Sequence, residues 1–286
     1  MQVQLKARDH EIELSQIKSV DLVTIDHREV LKIKRGDLSI IPGEVYRCNP
    51  TSYSISNVPL ILKRAECVDR RIFDQLVYEC DTIMRFRGHP NIISLYSYWT
   101  EKASSPYQYK TLVKLFEEAT LGDMLSSVVL SNTRPSNRMV MKYLTEICKG
   151  LSSLHNCGIV HGNIKPSSLY LTNDNVVMIG ELGKVKLDAA RQTHSLFSKV
   201  MIADAMPKTL IYWAPELLRS ERATIKSDLW ALGITLYQIM TGDQPFDTHD
   251  EDSFREDVMT SNVDWSRIIA QSRLRNVLEN LLNVDP

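Results

Sequence analysis

The sequence has no excess of charge of either sign: 34 lysines and arginines nearly balance 35 aspartates and glutamates, for a formal net charge of −1 over 286 residues. No global field therefore points to nucleic acid, an acidic substrate or an anionic membrane, and any partner must be recognised locally. Cysteine is scarce too. Its five copies, Cys48, Cys67, Cys80, Cys148 and Cys157, are odd in number and form neither CxxC pairs nor a dense framework. That excludes a disulfide-stapled secreted scaffold and fits free thiols in a reducing compartment. The opening MQVQLKARDHEIELSQ holds no apolar core of signal-peptide kind, and no later segment approaches about 18 uninterrupted apolar residues. An intracellular chain, cytoplasmic by the simplest reading and without membrane insertion, is expected. Internal repeats, low-complexity tracts and long linkers are also missing, which excludes a solenoid. What is present is 43% hydrophobic and 24% charged, an ordinary globular balance.

Periodicity divides the chain. The runs EVYRCN, VPLILKRA and KTLVKLF are short and β-prone, with the turn-like PTSYSISN between the first two, and they predict an antiparallel sheet. From Asp69 to Phe86 apolar residues recur at Ile72, Phe73, Leu76, Val77, Cys80, Ile83 and Met84. This is the spacing of an amphipathic helix, stopped by Gly88 and Pro90. Beyond residue 118 the pattern is mainly helical. Val140, Tyr143, Leu144, Ile147, Leu151 and Leu154 form one apolar face, ending at Gly158 in a C-cap position. SDLWALGITLYQIMTG is apolar nearly all round, which predicts a helix at the centre of its domain.

In order along the chain, these pieces and the short motifs among them resemble the eukaryotic protein kinase superfamily, from about Ile33 onward. GEVYR (Gly43 to Arg47, with Val45) resembles the end of a glycine-rich loop, and LILK, ending at Lys63, resembles V-A-I-K. Glu79 falls in the following helix, before HPNII. HGNIKPSS (His161 to Ser168) resembles H-R-D-x-K-x-x-N, ELG (Glu181 to Gly183) resembles D-F-G, TLIYWAPE ends in A-P-E at Glu216, and SDLWALG resembles D-x-W-x-x-G. Their order, more than any one motif, carries the resemblance. It implies an α+β, bilobal protein kinase-like fold: a small β-rich N-lobe over residues 33–117 and a larger, mainly helical C-lobe over 118–286, truncated before the last helix. Residues 1–32 form an extension, either an added strand or a mobile arm. By the same resemblance Ile83, His161 and Leu182 continue a hydrophobic column, and Asp228 anchors the loop at His161.

The positions that carry chemistry depart from the pattern. Kinases use a loop aspartate to accept the proton of the substrate hydroxyl; here the residue is Asn163, which has no useful basicity. Ser168 stands where an asparagine binds the second metal ion, and Glu181 replaces the D-F-G aspartate, its carboxylate one methylene further out. No catalytic residue is expected to be intact, and no metal site, with Glu181 the sole candidate. Alignment on Gly43 puts Leu38 and Ile40 where the first glycines of the loop belong, which closes the approach to phosphates. Gly43, Val45, Lys63, Glu79 and Lys165 are then vestiges of a nucleotide site. Ile61, Tyr170 and a gatekeeper, Lys114, are expected to fill it.

The expectation is a pseudokinase, a protein-binding scaffold or allosteric regulator in signalling or in an assembly. It would have no phosphoryl transfer and no cofactor, and would bind protein partners such as an active kinase. The alternative is a divergent, weakly active serine/threonine kinase using Glu181 and Lys165, with weak ATP or magnesium binding. A purely structural module is the second alternative. Thr193, Ser195 and Ser198 are possible phosphoacceptors in the segment after ELG. The A-P-E glutamate normally pairs with an arginine further along. The chain is therefore expected to be a fragment, or Glu216 to find a substitute in Arg273 or Arg275.

Overall fold

The computed structural model describes residues 4–7, 10–13, 31–32, 43–48, 60–67, 70–102, 110–117, 134–172, 174–182, 210–219, 221–248, 250–268 and 272–284. The chain divides into two compact units, Met1–Ala119 and Thr120–Pro286.

In the first unit, β1 (Gln4–Ala7) and β2 (His10–Glu13) pair antiparallel as a separate ribbon. The remaining strands are β3 (Leu31–Lys32), β4 (Gly43–Cys48), β5 (Leu60–Cys67), β6 (Leu95–Lys102) and β7 (Lys110–Glu117). They form one antiparallel sheet of order β3-β4-β5-β7-β6. Short β-prone segments pair antiparallel here, where a parallel sheet would need long crossovers; a helix lies in the chain between β5 and β6, and β7 comes to pair between them. The register sets Lys63 opposite Val45 on one side and opposite Lys114 on the other. Helix α1 (Arg70–Met84) buries Leu76, Cys80 and Ile83, and with them Glu79, which is 8% exposed. Gly88 takes a φ of +83° after the last turn, a conformation open to glycine at no steric cost. The Tyr98 hydroxyl of β6 donates to Asp81 Oδ1 of α1 at 2.6 Å. Burial pushes that phenol's pKa well up, and the adjacent carboxylate adds to the shift.

The second unit is built on two helices. Helix α2 (Asn137–Asn156) begins at Ser136, whose hydroxyl accepts the Met139 N–H, and it buries the apolar face read from its spacing. Helix α4 (Ile225–Thr241) opens with a capping box between Thr224 and Ser227 and ends at left-handed Gly242. It is buried almost all round. Leu282, after α6 (Arg273–Leu281), lies so close to Gly233 of α4 that a Cβ there would meet its Cδ2 at 2.8 Å. The short α3 (Pro215–Leu218) precedes α4, and α5 (Glu251–Thr260) follows it. Trp230 of α4 stacks on Phe246, centroids 5.8 Å apart, and Phe246 meets Phe254 of α5 edge-on. A hairpin of β8 (Leu169–Leu171) and β9 (Val177–Ile179) lies against α2, where Glu146 Oε2 accepts the Val177 N–H at 2.8 Å.

Candidate active site

The loop from Gly158 to Ser168 runs between α2 and β8, and α4 holds it. Asp228, in the first turn of α4 and 1% exposed, accepts the N–H of His161 on Oδ2 and that of Gly162 on Oδ1, both at 2.7 Å. His155, near the end of α2, meets Oδ2 at 2.8 Å. A carboxylate this deep is tolerable only when donors replace its lost water, and here the loop backbone supplies them. His161, 1% exposed, accepts the Asn163 N–H on Nδ1 at 3.2 Å and donates from Nε2 to the Gly180 carbonyl at 3.0 Å. Those partners fix the neutral tautomer with its proton on Nε2. Gly162, at a φ of +69°, occupies the middle of the H-R-D-like triplet.

Pairing of β8 with β9 then brings Glu181 back to this loop. Tyr170 stands opposite Met178 in that ladder, and the Gly180 N–H donates to the Ser168 carbonyl at 3.0 Å. Glu181 follows with a φ of +59°, a left-handed conformation uncommon outside glycine and asparagine. Its carbonyl accepts Asn163 Nδ2 at 3.0 Å, and its Oε1 accepts the Tyr170 hydroxyl at 3.1 Å. Strained backbone held by several partners is a mark of functional sites.

Ser168 turns inward. Its hydroxyl donates to the Lys165 carbonyl at 2.9 Å and accepts the Lys165 N–H at 3.1 Å, closing the short 3-10 turn Pro166–Ser168. It is fully buried, and Lys165 is 7% exposed. Among the described residues no group of three or more His, Cys, Asp or Glu could hold a metal ion. The donors do fit a single hard cation, since magnesium is commonly held by one or two carboxylates together with substrate phosphates. Glu181 is the residue that would supply the carboxylate. The Ser168 hydroxyl is committed to the loop backbone.

Other expected site residues are placed only in part. Gly43 and Val45 lie in β4, and Ile61 and Lys63 in β5, with Lys114 in β7; for these the structure gives backbone register alone. Leu38, Ile40, Thr193, Ser195 and Ser198 lie outside the described residues. Leu182 is 9% exposed and Ile83 is 2% exposed, each within its own unit. Neither Arg273 nor Arg275 serves Glu216. Arg275 donates to Glu279 at 2.8 Å and lies over the Trp265 ring at 4.7 Å. Glu216 instead takes the Ser227 hydroxyl and lines a groove of about 410 Å³ with Arg219, Lys226 and Trp230. Tyr170 is the residue whose role the sequence did not show. Its ring is buried at 6% exposure as a pocket-filling residue would be, but nothing in the linear spacing signals its bond to Glu181.

A family model described as the protein kinase domain matches residues 42–286. This chain belongs to the protein kinase domain family. It is 25% identical over 244 residues to Aurora/IPL1-related protein kinase 2 of Caenorhabditis elegans, covering 85% of this chain and 73% of that protein. It is 26% identical over 238 residues to human serine/threonine-protein kinase 16, covering 79% and 75%. Against 3-phosphoinositide-dependent protein kinase 1 of Arabidopsis thaliana it is 29% identical over 200 residues, 69% of this chain but 39% of the plant protein. The crystal structure of Rad53 in complex with AMP-PNP superposes with a TM-score of 0.65 at 19% identity, covering 90% of this chain and 61% of that one. The fold is therefore the α+β protein kinase fold. No helix among the described residues is long and apolar enough to cross a membrane.

These relatives correct one expectation. A domain that is not an enzyme was expected because Asn163, Ser168 and Glu181 were each weighed singly against the family pattern. The chain instead falls within a family whose matched members are protein kinases, serine/threonine kinases among them, and these point to a kinase enzyme. The expectation took the changed residue types to end the chemistry even though the frame around them was expected to survive. Asp228, His161 and the left-handed turn at Glu181 hold a carboxylate and a buried lysine beside the same loop.

Proposed function

We propose that this domain is a divergent, weakly active serine/threonine protein kinase that transfers the γ-phosphoryl group of ATP to a protein hydroxyl. The observation that carries the reading is the convergence of Asn163 and Glu181, tied at 3.0 Å on a loop clamped by Asp228. In phosphoryl transfer most of the catalysis is positioning and electrostatic stabilisation, with little covalent work for the protein. A held frame can therefore retain activity when individual groups change. Glu181 would hold one magnesium ion, which when bound would neutralise charge on the phosphate oxygens. Lys165 supplies the second positive charge beside the transferred group. Asn163 orients the acceptor hydroxyl through its amide oxygen, and the hydroxyl oxygen forms the new O–P bond as the bond to the leaving ADP oxygen breaks. The hydroxyl proton then leaves to solvent or to the transferred phosphoryl group, because an amide cannot take it. Loss of a positioned base lowers the rate by about 10²–10⁴ relative to a kinase that has one. The protein partner is at minimum its substrate, and an active kinase or a larger assembly remains the further class of partner.

The test is radiolabel transfer from ATP to a generic serine/threonine substrate by wild type, Glu181→Gln and Lys165→Ala. Slow incorporation by wild type that both variants abolish is the expected result. Equal incorporation by all three would show that the counts come from a contaminant and would overturn the reading.

A further inference from the structure

We infer that Tyr170 is a positioning residue for the carboxylate of Glu181, set so that this longer side chain holds a divalent cation. The inference rests on the reading of Glu181 as the metal-holding residue and names what makes it competent. Glutamate places its carboxylate one methylene further out than aspartate and adds a rotatable bond, whereas magnesium demands near-ideal geometry. An untethered Glu181 would lose side-chain entropy on binding the cation. The structure removes that freedom beforehand. The Tyr170 hydroxyl donates to Glu181 Oε1 at 3.1 Å, and the ring that carries it is 6% exposed in β8. Donor and acceptor belong to one hairpin, since Tyr170 pairs with Met178 and Glu181 follows β9 by two residues. The other end of Glu181 is held as well, its carbonyl by Asn163 Nδ2 at 3.0 Å.

The side chains at residues 170 and 181 thus fit each other physically: the additional methylene moves the carboxylate, and the phenol reaches it. An ionised carboxylate only accepts, so the tyrosine is the donor. Hydrogen bonds to a metal-holding carboxylate orient it, and removing such a partner commonly weakens metal affinity by about 10–100-fold.

The experiment is calorimetric titration of the whole chain with ADP, in EDTA and in saturating manganese. The ratio of the two affinities is the readout, and it needs no catalysis. Tyr170→Phe keeps the ring and loses only the hydroxyl. Each variant is compared with its own affinity in EDTA, and Tyr170→Phe is expected to lower the manganese-dependent gain by about tenfold. In a Glu181→Gln background the same change is expected to do nothing further, because the effect acts through that carboxylate. A gain within twofold of wild type, a larger gain in Tyr170→Phe, or an equal loss in the Glu181→Gln background would each overturn the inference. The first two leave the proposed function standing. If wild type itself shows no manganese-dependent gain, both this inference and the metal reading of Glu181 fall.

Discussion

The start of α4 and the loop it holds obey different constraints. At the start of α4, Asp228 is 1% exposed and every hydrogen bond it makes goes to the loop backbone or to His155. A change there strands several buried groups at once. At the loop's chemical positions, Asn163 and Glu181 are only half-buried; Asn163 Nδ2 meets the Glu181 carbonyl, and Glu181 Oε1 meets the Tyr170 hydroxyl. Such positions can change residue type without unfolding anything. The frame is therefore fixed by the desolvation of buried polar groups, and the reactive positions by the needs of a reaction. The difference explains how a kinase frame can persist around altered groups.

The comparison breaks first if the frame proves soft. Asp228→Ala leaves the N–H groups of His161 and Gly162 without their acceptor, and is expected to destabilise the fold by about 3–5 kcal/mol, read as a lowered urea midpoint. A loss under about 1 kcal/mol would mean that water enters and the clamp is not structural. Glu181→Gln comes next. It keeps an acceptor for Tyr170 but removes the charge, so transfer should fall on the order of a hundredfold or more with little change in melting.

Ser168 sharpens the division, because the sequence places it at a metal position and the structure ties its hydroxyl to Lys165. Ser168→Ala is expected to lower stability by about 1–2 kcal/mol and to leave the magnesium dependence of transfer unchanged. A shifted magnesium requirement would return Ser168 to the chemistry. The smallest effect is expected of Asn163→Asp. A restored base could raise the rate by about 10²–10⁴, but aspartate cannot donate to the Glu181 carbonyl and would set a carboxylate against it. The net gain in single-turnover rate should be nearer tenfold, and a slower variant would show that the Asn163 bond matters more than the base.

Much of the fold could be read in the sequence where burial writes a period. Val140, Tyr143, Leu144, Ile147, Leu151 and Leu154 face inward from α2, and the all-round apolar α4 is buried as its composition predicts. Elements with weaker signals escaped. Helix α5 buries only Phe254 and Val258 within a charged run, and α6 only Leu274 and Leu278. The loop anchor at Asp228 was recognisable from its motif, since a fixed partner goes with a fixed spacing. Tyr170 was read only as bulk, because its hydroxyl acquires meaning through β8–β9 pairing that no local pattern announces. Activity escaped for a related reason: the replaced residue types at 163, 168 and 181 are plain in the sequence, while the bonds that hold Asn163 and Glu181 together exist only in three dimensions.

The most direct test of the retained frame is nucleotide binding with and without magnesium, measured as the shift in melting temperature of the whole chain. A ligand at about a thousand times its dissociation constant stabilises the native state by about 4 kcal/mol. The account expects millimolar ATP to raise the midpoint clearly in magnesium and much less in EDTA. No shift under either condition would contradict it, because a frame that binds no nucleotide cannot be holding Glu181 and Lys165 for phosphoryl transfer.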